Sequence, residues 1–202
     1  MSDEATRHNQ ATYDKISALY AQRQHSRGRS FPDLREAFAT RLTSAANLAD
    51  LGCGPALDGA SFAAAGHRVT GIDRSAGMLA IAGRVLPGRV MQADLRSIPL
   101  AAKSLDGIWC CAALLHVPDD QTMAVLNEIH RVLRPGGCLA LVTALGAGAR
   151  LEPVPYAPNA QRWFFYRHAG QLRDQLLAAR LQILAATEEL SSRHWFKVLA
   201  VA

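Results

Sequence analysis

The feature that most constrains this chain is an alternation of short apolar segments with segments of helical periodicity. The apolar segments cover residues 47–51, 67–72, 89–93, 105–112 and 138–143, and the helical segments between them cover 57–65, 75–85 and 119–133. Such an alternation is typical of βαβ units, whose strands form a parallel sheet with helices on both faces. We therefore expect an α/β fold with a Rossmann-like, doubly wound sheet.

The two ends of the chain fall outside this repeat. Apolar spacing predicts a first helix over residues 10–23, whereas the polar first nine residues are expected to be frayed. A basic loop at 25–30 and a second helix at 31–44 follow. After residue 143 we expect a long proline-containing loop, an extended aromatic segment at 161–166, a helix at 170–179, and a closing hairpin of residues 181–189 and 194–201. No internal repeat is visible, which favours one domain over residues 1–202.

Composition narrows the class of protein. Half of the 202 residues are hydrophobic and 19% are charged, which favours a packed core over disorder. The net charge of +5 comes from 22 Lys and Arg against 17 Asp and Glu, and we interpret it as background arginine content. No apolar run approaches the ~20 residues that span a bilayer. Four cysteines in apolar stretches, without metal-ligand spacing or a secretory signal, predict a reduced, cytoplasmic protein without a metal.

A glycine turn follows the first strand of the repeat. Asp50-Leu51-Gly52-Cys53-Gly54-Pro55 lies between a predicted strand and a predicted helix, where exposed backbone amides allow a ligand to approach closely. A tight turn without a ligand explains the same residues. A dinucleotide fingerprint requires a third glycine where Leu57 stands, which argues against a nicotinamide cofactor and hence against a dehydrogenase.

Two aspartates end the next two strands. Asp73 lies roughly 20 residues after Gly52, the spacing at which an acid meets a ribose diol in doubly wound sheets. Asp94 ends the third strand at the same edge, where it can accept a hydrogen bond from an exocyclic amine such as that of adenine. Each acid could instead cap the turn that follows it. With the glycine turn, the two acids outline an adenosine site.

These motifs together resemble the class I S-adenosylmethionine-dependent methyltransferases. The motifs that carry the resemblance run in family order over about residues 47–143: the glycine turn, Val69-Thr-Gly-Ile-Asp73-Arg-Ser, Met78-Leu-Ala, Ala93-Asp94-Leu, Leu105-Asp-Gly-Ile-Trp and Leu133-Arg-Pro-Gly-Gly137. The resemblance implies a seven-stranded sheet whose last strand is antiparallel. It also implies an N-terminal helical lid (1–46), a cofactor-binding half (47–144) and an acceptor-side half (145–202).

The same resemblance assigns cofactor contacts. It implies that Gly52 and Gly54, with Cys53 between them and Asp50 before them, approach the methionine part of S-adenosylmethionine. The remaining contacts it implies are Asp73 to the ribose, Arg74 and Met78 beside the adenine, Asp94 to the adenine amine, Leu95 against the ring, Cys111 and Ala112 at the amino-acid end, and Tyr20 on the lid. One position departs from the family, which commonly has glycine where this chain has Ala56.

The acceptor side offers fewer signals. His116 follows the fourth strand, where an imidazole could deprotonate or orient an acceptor hydroxyl, or could simply be fixed to a backbone carbonyl. Tyr166 is a second catalytic candidate. We expect Arg162, Trp163, Phe165 and Tyr166 to line the acceptor pocket, together with His116. In an extended segment Trp163 and Phe165 face one side and Tyr166 the other, and packing of the whole segment on the core explains its composition equally well.

The sequence therefore predicts a methyltransferase that uses S-adenosylmethionine, releases S-adenosylhomocysteine and methylates a small organic acceptor, as a monomer or homodimer. Scattered basic residues and the absence of an Asn/Asp-Pro-Pro-Tyr signature after strand four make nucleic acid an unfavoured acceptor. Two alternatives stay open: an RNA or tRNA methyltransferase, and a protein that binds S-adenosylmethionine without transferring its methyl group.

Overall fold

The computed structural model describes residues 2–27 and 31–202 and has a seven-stranded sheet at its centre. Its strands are β1 (Asn47–Leu51), β2 (Arg68–Asp73), β3 (Val90–Gln92), β4 (Leu105–Cys111), β5 (Leu133–Ala144), β8 (Gln182–Leu190) and β9 (His194–Val201). The spatial order is β3-β2-β1-β4-β5-β9-β8. The first five strands in this order pair in parallel, and β9 runs antiparallel to both neighbours. The predicted doubly wound sheet with an antiparallel last strand is confirmed.

Helices cover both faces of this sheet. They are α1 (Ser2–Arg27), α2 (Pro32–Ala39), α3 (Leu57–Ala64), α4 (Ala76–Val85), α5 (Thr122–Val132) and α6 (Ala169–Ala178). Buried side chains of α5 and α6, such as Leu126 and Leu172, form one core with the sheet, whereas Phe38, Phe62 and Leu79 of α2, α3 and α4 form the other. The apolar strands therefore lie between two cores, as expected for a sheet buried on both faces.

Helix α1 differs most from its prediction. It begins at Ser2 rather than residue 10, and its first turns carry Asp3 and Asn9, which hydrogen-bond to distant parts of the chain. The predicted fraying was wrong because tertiary polar contacts stabilise a segment that has no apolar stripe of its own. Of the predicted basic loop, Gly28, Arg29 and Ser30 lie outside the described residues.

No other helix in the described ranges is as long as α1, and none in them has both the length and the apolar composition that a bilayer span requires.

The expected proline loop after β5 is partly a strand. β6 (Gly148–Pro153) pairs antiparallel with β7 (Gln161–Tyr166), the predicted aromatic segment, to form a separate two-stranded sheet. β6 was not predicted because its alternation of Ala149, Leu151 and Pro153 with charged residues is short and lies between glycines and prolines, which are typical of loops. The small sheet places β7 beside α1 and beside the turn after β4.

Ala56, the residue that departs from the family pattern, has a left-handed backbone. It precedes α3 with φ of 57° and ψ of 37°, and it is completely buried. A β-carbon in this region costs about 1 kcal/mol or more, whereas glycine adopts it freely.

We expect Ala56→Gly to raise the free energy of unfolding by about 1 kcal/mol, because the substitution removes this strain. Urea denaturation measures the change. The matched control is Ala80→Gly on the exposed side of α4, where glycine should lower stability by about 1 kcal/mol. Equal losses in both variants would contradict the assignment of strain to Ala56.

Candidate active site

A cavity of about 820 Å³, its open mouth included, lies at the carboxyl ends of the strands of the large sheet. Its wall includes the turn after β1, the end of β2 and the segment after β4, with one side formed by α1. The lining residues include Asn9, Gln10, Tyr13, Tyr20, Gly52, Gly54, Asp73, Arg74, Met78, Asp94, Leu95, Cys111, Ala112 and His116. Strand order reverses between β1 and β4, so the cavity lies at the topological switch point where doubly wound folds bind ligands.

The glycine turn lies close to both neighbouring strands. The backbone amides of Gly52 and Cys53 donate to the Ile72 carbonyl at 2.8 and 3.1 Å. A β-carbon on Gly52 would lie 2.3 Å from that of Ala113, so the segments after β1 and β4 can meet only at a glycine. The close approach leaves the backbone of the turn exposed to the cavity.

Asp73 connects this turn to helix α4. Its carboxylate accepts hydrogen bonds from the Gly54 amide and the Ser75 amide, both at 2.8 Å. Burial raises the pKa of Asp73, although these hydrogen bonds oppose the shift. Two oxygens offer about four acceptor sites, so the carboxylate retains capacity for a diol while it holds the turn. Asp73 therefore makes the expected capping contact with the turn that follows it and also lines the cavity.

The Asp94 carboxylate, predicted to contact adenine, already accepts hydrogen bonds from two arginines of the chain. One oxygen accepts from the backbone amide and Nε of Arg96, both at 2.9 Å, and the other accepts from Nη2 of Arg96 and from Arg74. Although burial opposes it, these hydrogen bonds and charges lower the pKa of Asp94. An adenine amine that binds Asp94 must therefore displace one of these partners. Arg74, which follows β2 and also lines the cavity, is the partner that reaches Asp94 from the neighbouring strand.

Two predicted cofactor residues do not line the cavity. Asp50 lies behind the turn, where its carboxylate accepts from the Gly59 amide at 3.0 Å and burial raises its pKa to about 8. The Cys53 side chain is buried against Gly71, and burial raises the pKa of its thiol. Cys53 lies between the left-handed Gly52 and Gly54, which turn the backbone toward the cavity and the thiol away from it. Asp50 lies within β1 and is buried.

Helix α1 closes one side of the cavity. The Asp14 carboxylate accepts from the Ser75 hydroxyl at 2.6 Å and the Gly77 amide at 2.9 Å. A β-carbon on Gly77 would lie 2.7 Å from the Asp14 carbonyl oxygen, so α1 crosses α4 at this glycine. Polar contacts thus hold α1 against the N-terminal end of α4.

The tyrosines of α1 both reach the cavity. Tyr20, the lid residue expected to contact the cofactor, lies beside Gly54, and its hydroxyl accepts from Gln24 at 2.7 Å. Tyr13 lies about two helical turns earlier in α1, and its ring packs edge-on against that of Tyr20 at 5.7 Å between centroids. Tyr13, which was not among the predicted site residues, is the tyrosine that contacts His116.

His116 lies in the cavity wall with both ring nitrogens engaged. Nδ1 is 2.8 Å from the Trp163 carbonyl oxygen, and Nε2 is 2.6 Å from the Tyr13 hydroxyl. Because a carbonyl can only accept, Nδ1 carries the hydrogen and Nε2 accepts from Tyr13. Burial, assisted by the charges of Arg162 and Arg193, lowers the pKa of His116 to about 3. The ring is therefore neutral and is fixed to a backbone carbonyl, which is one of the two roles that the sequence indicated for His116.

The predicted acceptor-pocket residues are divided between two faces of β7. Arg162 and Tyr166 share a face with Phe164, whereas Trp163 and Phe165 stack on each other on the opposite face, so the four cannot line one pocket. Tyr166, expected to be catalytic, lies away from the cavity, with its hydroxyl held by Glu152 and Arg193. Of this set, Arg162 comes nearest to the cavity, since its Nη1 donates to the Tyr13 hydroxyl at 2.9 Å.

Several contacts at the site had no signal in the sequence. Asn9 holds the backbone of Trp163 through a hydrogen bond from the Trp163 amide at 2.6 Å and one to its carbonyl at 3.0 Å. Arg96 joins Asp94 to Asp3 of α1. Both residues connect segments about a hundred or more positions apart, so no local pattern could indicate them.

Comparison with known proteins agrees with this geometry. Residues 48–137 match a family model described as a methyltransferase domain. A solved 1,6-didemethyltoxoflavin-N1-methyltransferase of Burkholderia thailandensis, with bound S-adenosylhomocysteine, superposes over all of this chain and 90% of its own at a TM-score of 0.73 and 24% identity. This likeness shows that the chain has the fold of that methyltransferase.

Two curated relatives extend the match. A malonyl-[acyl-carrier protein] O-methyltransferase of Enterobacter lignolyticus is 34% identical over 66% of this chain and 52% of its own length. A trans-aconitate 2-methyltransferase of an Azoarcus species is 44% identical over 50% of this chain and 40% of its own. The chain thus spans about half the length of the relatives or less. Over residues 48–137 the chain is therefore similar to methyltransferase domains.

We expect Asp14→Ala to release α1 from α4, because the variant loses two hydrogen bonds to a carboxylate. The opening free energy of α1 should fall by about 2 kcal/mol. Amide hydrogen exchange would show faster exchange in α1 and unchanged exchange in β4 and β5. Lys15→Ala, at an exposed position of the same helix, is the control and should leave α1 exchange unchanged.

Asp50 should make stability depend on pH. Its folded pKa of about 8 lies above the ordinary value, so the unfolded chain releases this proton first as the pH rises. Between about pH 4 and pH 8, the contribution of Asp50 to the free energy of unfolding therefore falls as the pH rises, by up to about 1.4 kcal/mol per pH unit.

Asp50→Asn should flatten the pH dependence of the unfolding free energy over this window, and Asp174→Asn on α6 should not. Denaturant titrations at several pH values between 4 and 8 measure both slopes. A slope that persists unchanged in Asp50→Asn would rule out a raised pKa at this carboxyl group.

Proposed function

We propose that this chain is an S-adenosylmethionine-dependent methyltransferase that acts on a small organic acceptor. The observation that supports this most is one cavity at the switch point of the sheet, where the glycine turn, the acidic ends of two strands and the lid α1 meet. His116 and Tyr13 close the same cavity near β7, so a cofactor and an acceptor have adjoining places.

The residues that line the cavity fit the cofactor in their chemistry. We assign the cofactor contacts to the backbone of Gly52 and Gly54, to Asp73 for the ribose hydroxyls, to Arg74, Met78, Asp94 and Leu95 around the adenine, to Cys111 and Ala112 at the amino-acid end, and to Tyr20 on the lid. Asp50 and Cys53 support the turn from behind.

Alignment and exclusion of water are the tasks left to the protein. When bound, S-adenosylmethionine supplies a methyl group on a positively charged sulfur, which is transferred by in-line displacement. Helix α1 covers the cavity through Tyr13 and Tyr20, and a small apolar cluster of Ile16, Val154 and Ala157 joins it to the loop between β6 and β7. Covering the site in this way desolvates the reacting groups and restricts their orientation.

Ion pairing of arginines within the chain favours a small acceptor over nucleic acid. Seven arginines of the described ranges form ion pairs with carboxylates of this chain and so do not present a basic surface: Arg35, Arg74, Arg96, Arg131, Arg134, Arg167 and Arg193. Nucleic-acid binding relies on such cations for phosphate contacts. The names of both curated relatives, which act on malonyl-[acyl-carrier protein] and trans-aconitate, also point to acceptors with a small reacting group.

Calorimetric titration with S-adenosylhomocysteine tests the cofactor assignment. Asp73→Asn should weaken binding by about 1–3 kcal/mol, since a charge-assisted hydrogen bond is lost. Asp174→Asn, which removes a charge on the far helix α6, should leave the dissociation constant unchanged.

A second titration separates the ribose from the turn that Asp73 also holds. Wild-type protein should bind adenosine more tightly than 2′,3′-dideoxyadenosine, and Asp73→Asn should remove most of that difference. The same preference in both proteins would contradict the ribose assignment. Binding of S-adenosylhomocysteine without methyl transfer to any acceptor would instead favour a binding protein.

A further inference from the structure

Arg162 is a largely buried cation that forms no ion pair with a carboxylate of the described residues. Its guanidinium lies over the rings of Tyr13 and Phe164, at 5.8 and 5.1 Å from their centroids. Among the described residues it donates one hydrogen bond, to the Tyr13 hydroxyl, and no carboxylate forms an ion pair with it. Its Nε is buried without a partner. A buried guanidinium in this state is costly unless an acceptor satisfies it.

The groups around Arg162 do not neutralise it. Burial raises the pKa of Tyr13 despite the opposing charge of Arg162, so the phenol keeps its proton. His116 is neutral. Glu152, the cross-strand neighbour of Arg162, is committed to an ion pair with Arg193 at 2.6 Å. This corner of the site therefore carries an excess positive charge next to the cavity wall.

We propose that the methyl acceptor is a carboxylic acid and that Arg162 binds its carboxylate. The inference rests on the proposed function and specifies its substrate class. A carboxylate entering beside Tyr13 can accept from the N–H groups of Arg162 that lack partners, and a planar guanidinium matches a carboxylate in geometry.

The chemistry of transfer agrees with the neutral, fixed histidine. A carboxylate oxygen forms the new bond to the methyl carbon, the carbon–sulfur bond breaks, and its electron pair stays on sulfur. The products are a methyl ester and S-adenosylhomocysteine, and no proton moves. An alcohol or ammonium acceptor must lose a proton to a base, whereas both nitrogens of His116 already have partners.

Product chemistry tests the substrate class without knowledge of the acceptor. The protein is incubated with methyl-labelled S-adenosylmethionine and either a bacterial small-molecule extract or a panel of malonate, trans-aconitate and decanoate with their amides. Methyl esters release labelled methanol in mild base, whereas methyl ethers, amines and carbon-linked methyl groups do not. We expect base-labile label, and label from the acids but not from the amides.

Variants of Arg162 test the binding residue. Arg162→Gln should raise KM for the acid at least tenfold with a smaller change in kcat, and Arg162→Lys should recover part of the loss because it keeps the charge but not the planar donors. Arg150→Gln removes the same charge from an exposed position of the same hairpin and should leave KM unchanged.

A binding readout accompanies the kinetics. Malonate at millimolar concentration, compared with chloride at equal ionic strength, should raise the melting temperature of S-adenosylhomocysteine-loaded wild type but not of the loaded Arg162→Gln variant. Equal responses of the two proteins would overturn the role of Arg162. Base-stable label alone would overturn the carboxylate acceptor and leave methyl transfer intact. Tight S-adenosylhomocysteine binding with no labelled product at all would overturn the proposed function itself.

Discussion

The carboxylate of Asp73 is the interaction on which the rest of the site depends. It accepts from the Gly54 amide of one loop and the Ser75 amide of the next, and so fixes the glycine turn against the end of β2. Ser75 in turn caps α4 and donates to Asp14, which holds α1. Asp73 thus fixes the turn against the start of α4, and Ser75 connects α4 to α1. The group assigned to the ribose is also the group that organises the cavity.

Helix α1 shows how a polar segment can be part of a folded site. It has acids in its first turn and no strong apolar face, and it is positioned by paired polar groups such as Asp3 with Arg96 and Asn9 with the backbone of Trp163. Hydrogen bonds to charged groups contribute about 1.5–3 kcal/mol each, so a few such contacts can hold a helix that lacks an apolar face. The polar contacts also bring Tyr13 to His116, and Arg162 to Tyr13.

The cofactor side followed from the sequence to a large extent because its geometry is local. The turn after β1, the acids at the ends of β2 and β3, and the cap at Ser75 each lie next to the strand or helix that positions them. Because the strands were predicted correctly, Gly52, Asp73 and Asp94 could be placed at one edge of the sheet. Asp50 and Cys53 show the limit of this reasoning, because a motif does not state which of its side chains face the ligand and which face the core.

The sequence by itself determined the alternation, and with it the parallel strands and the closing hairpin, because apolar periodicity and turn residues act over a few positions; the antiparallel last strand followed from the family resemblance. Only the tertiary structure decided how the segments around His116 are arranged. The position of Tyr166 outside the cavity, the extra strand β6, the ordered start of α1 and the unpaired Arg162 all depend on contacts between segments far apart in the chain. Such contacts arise when the sheet has brought those segments together, and no local pattern records them.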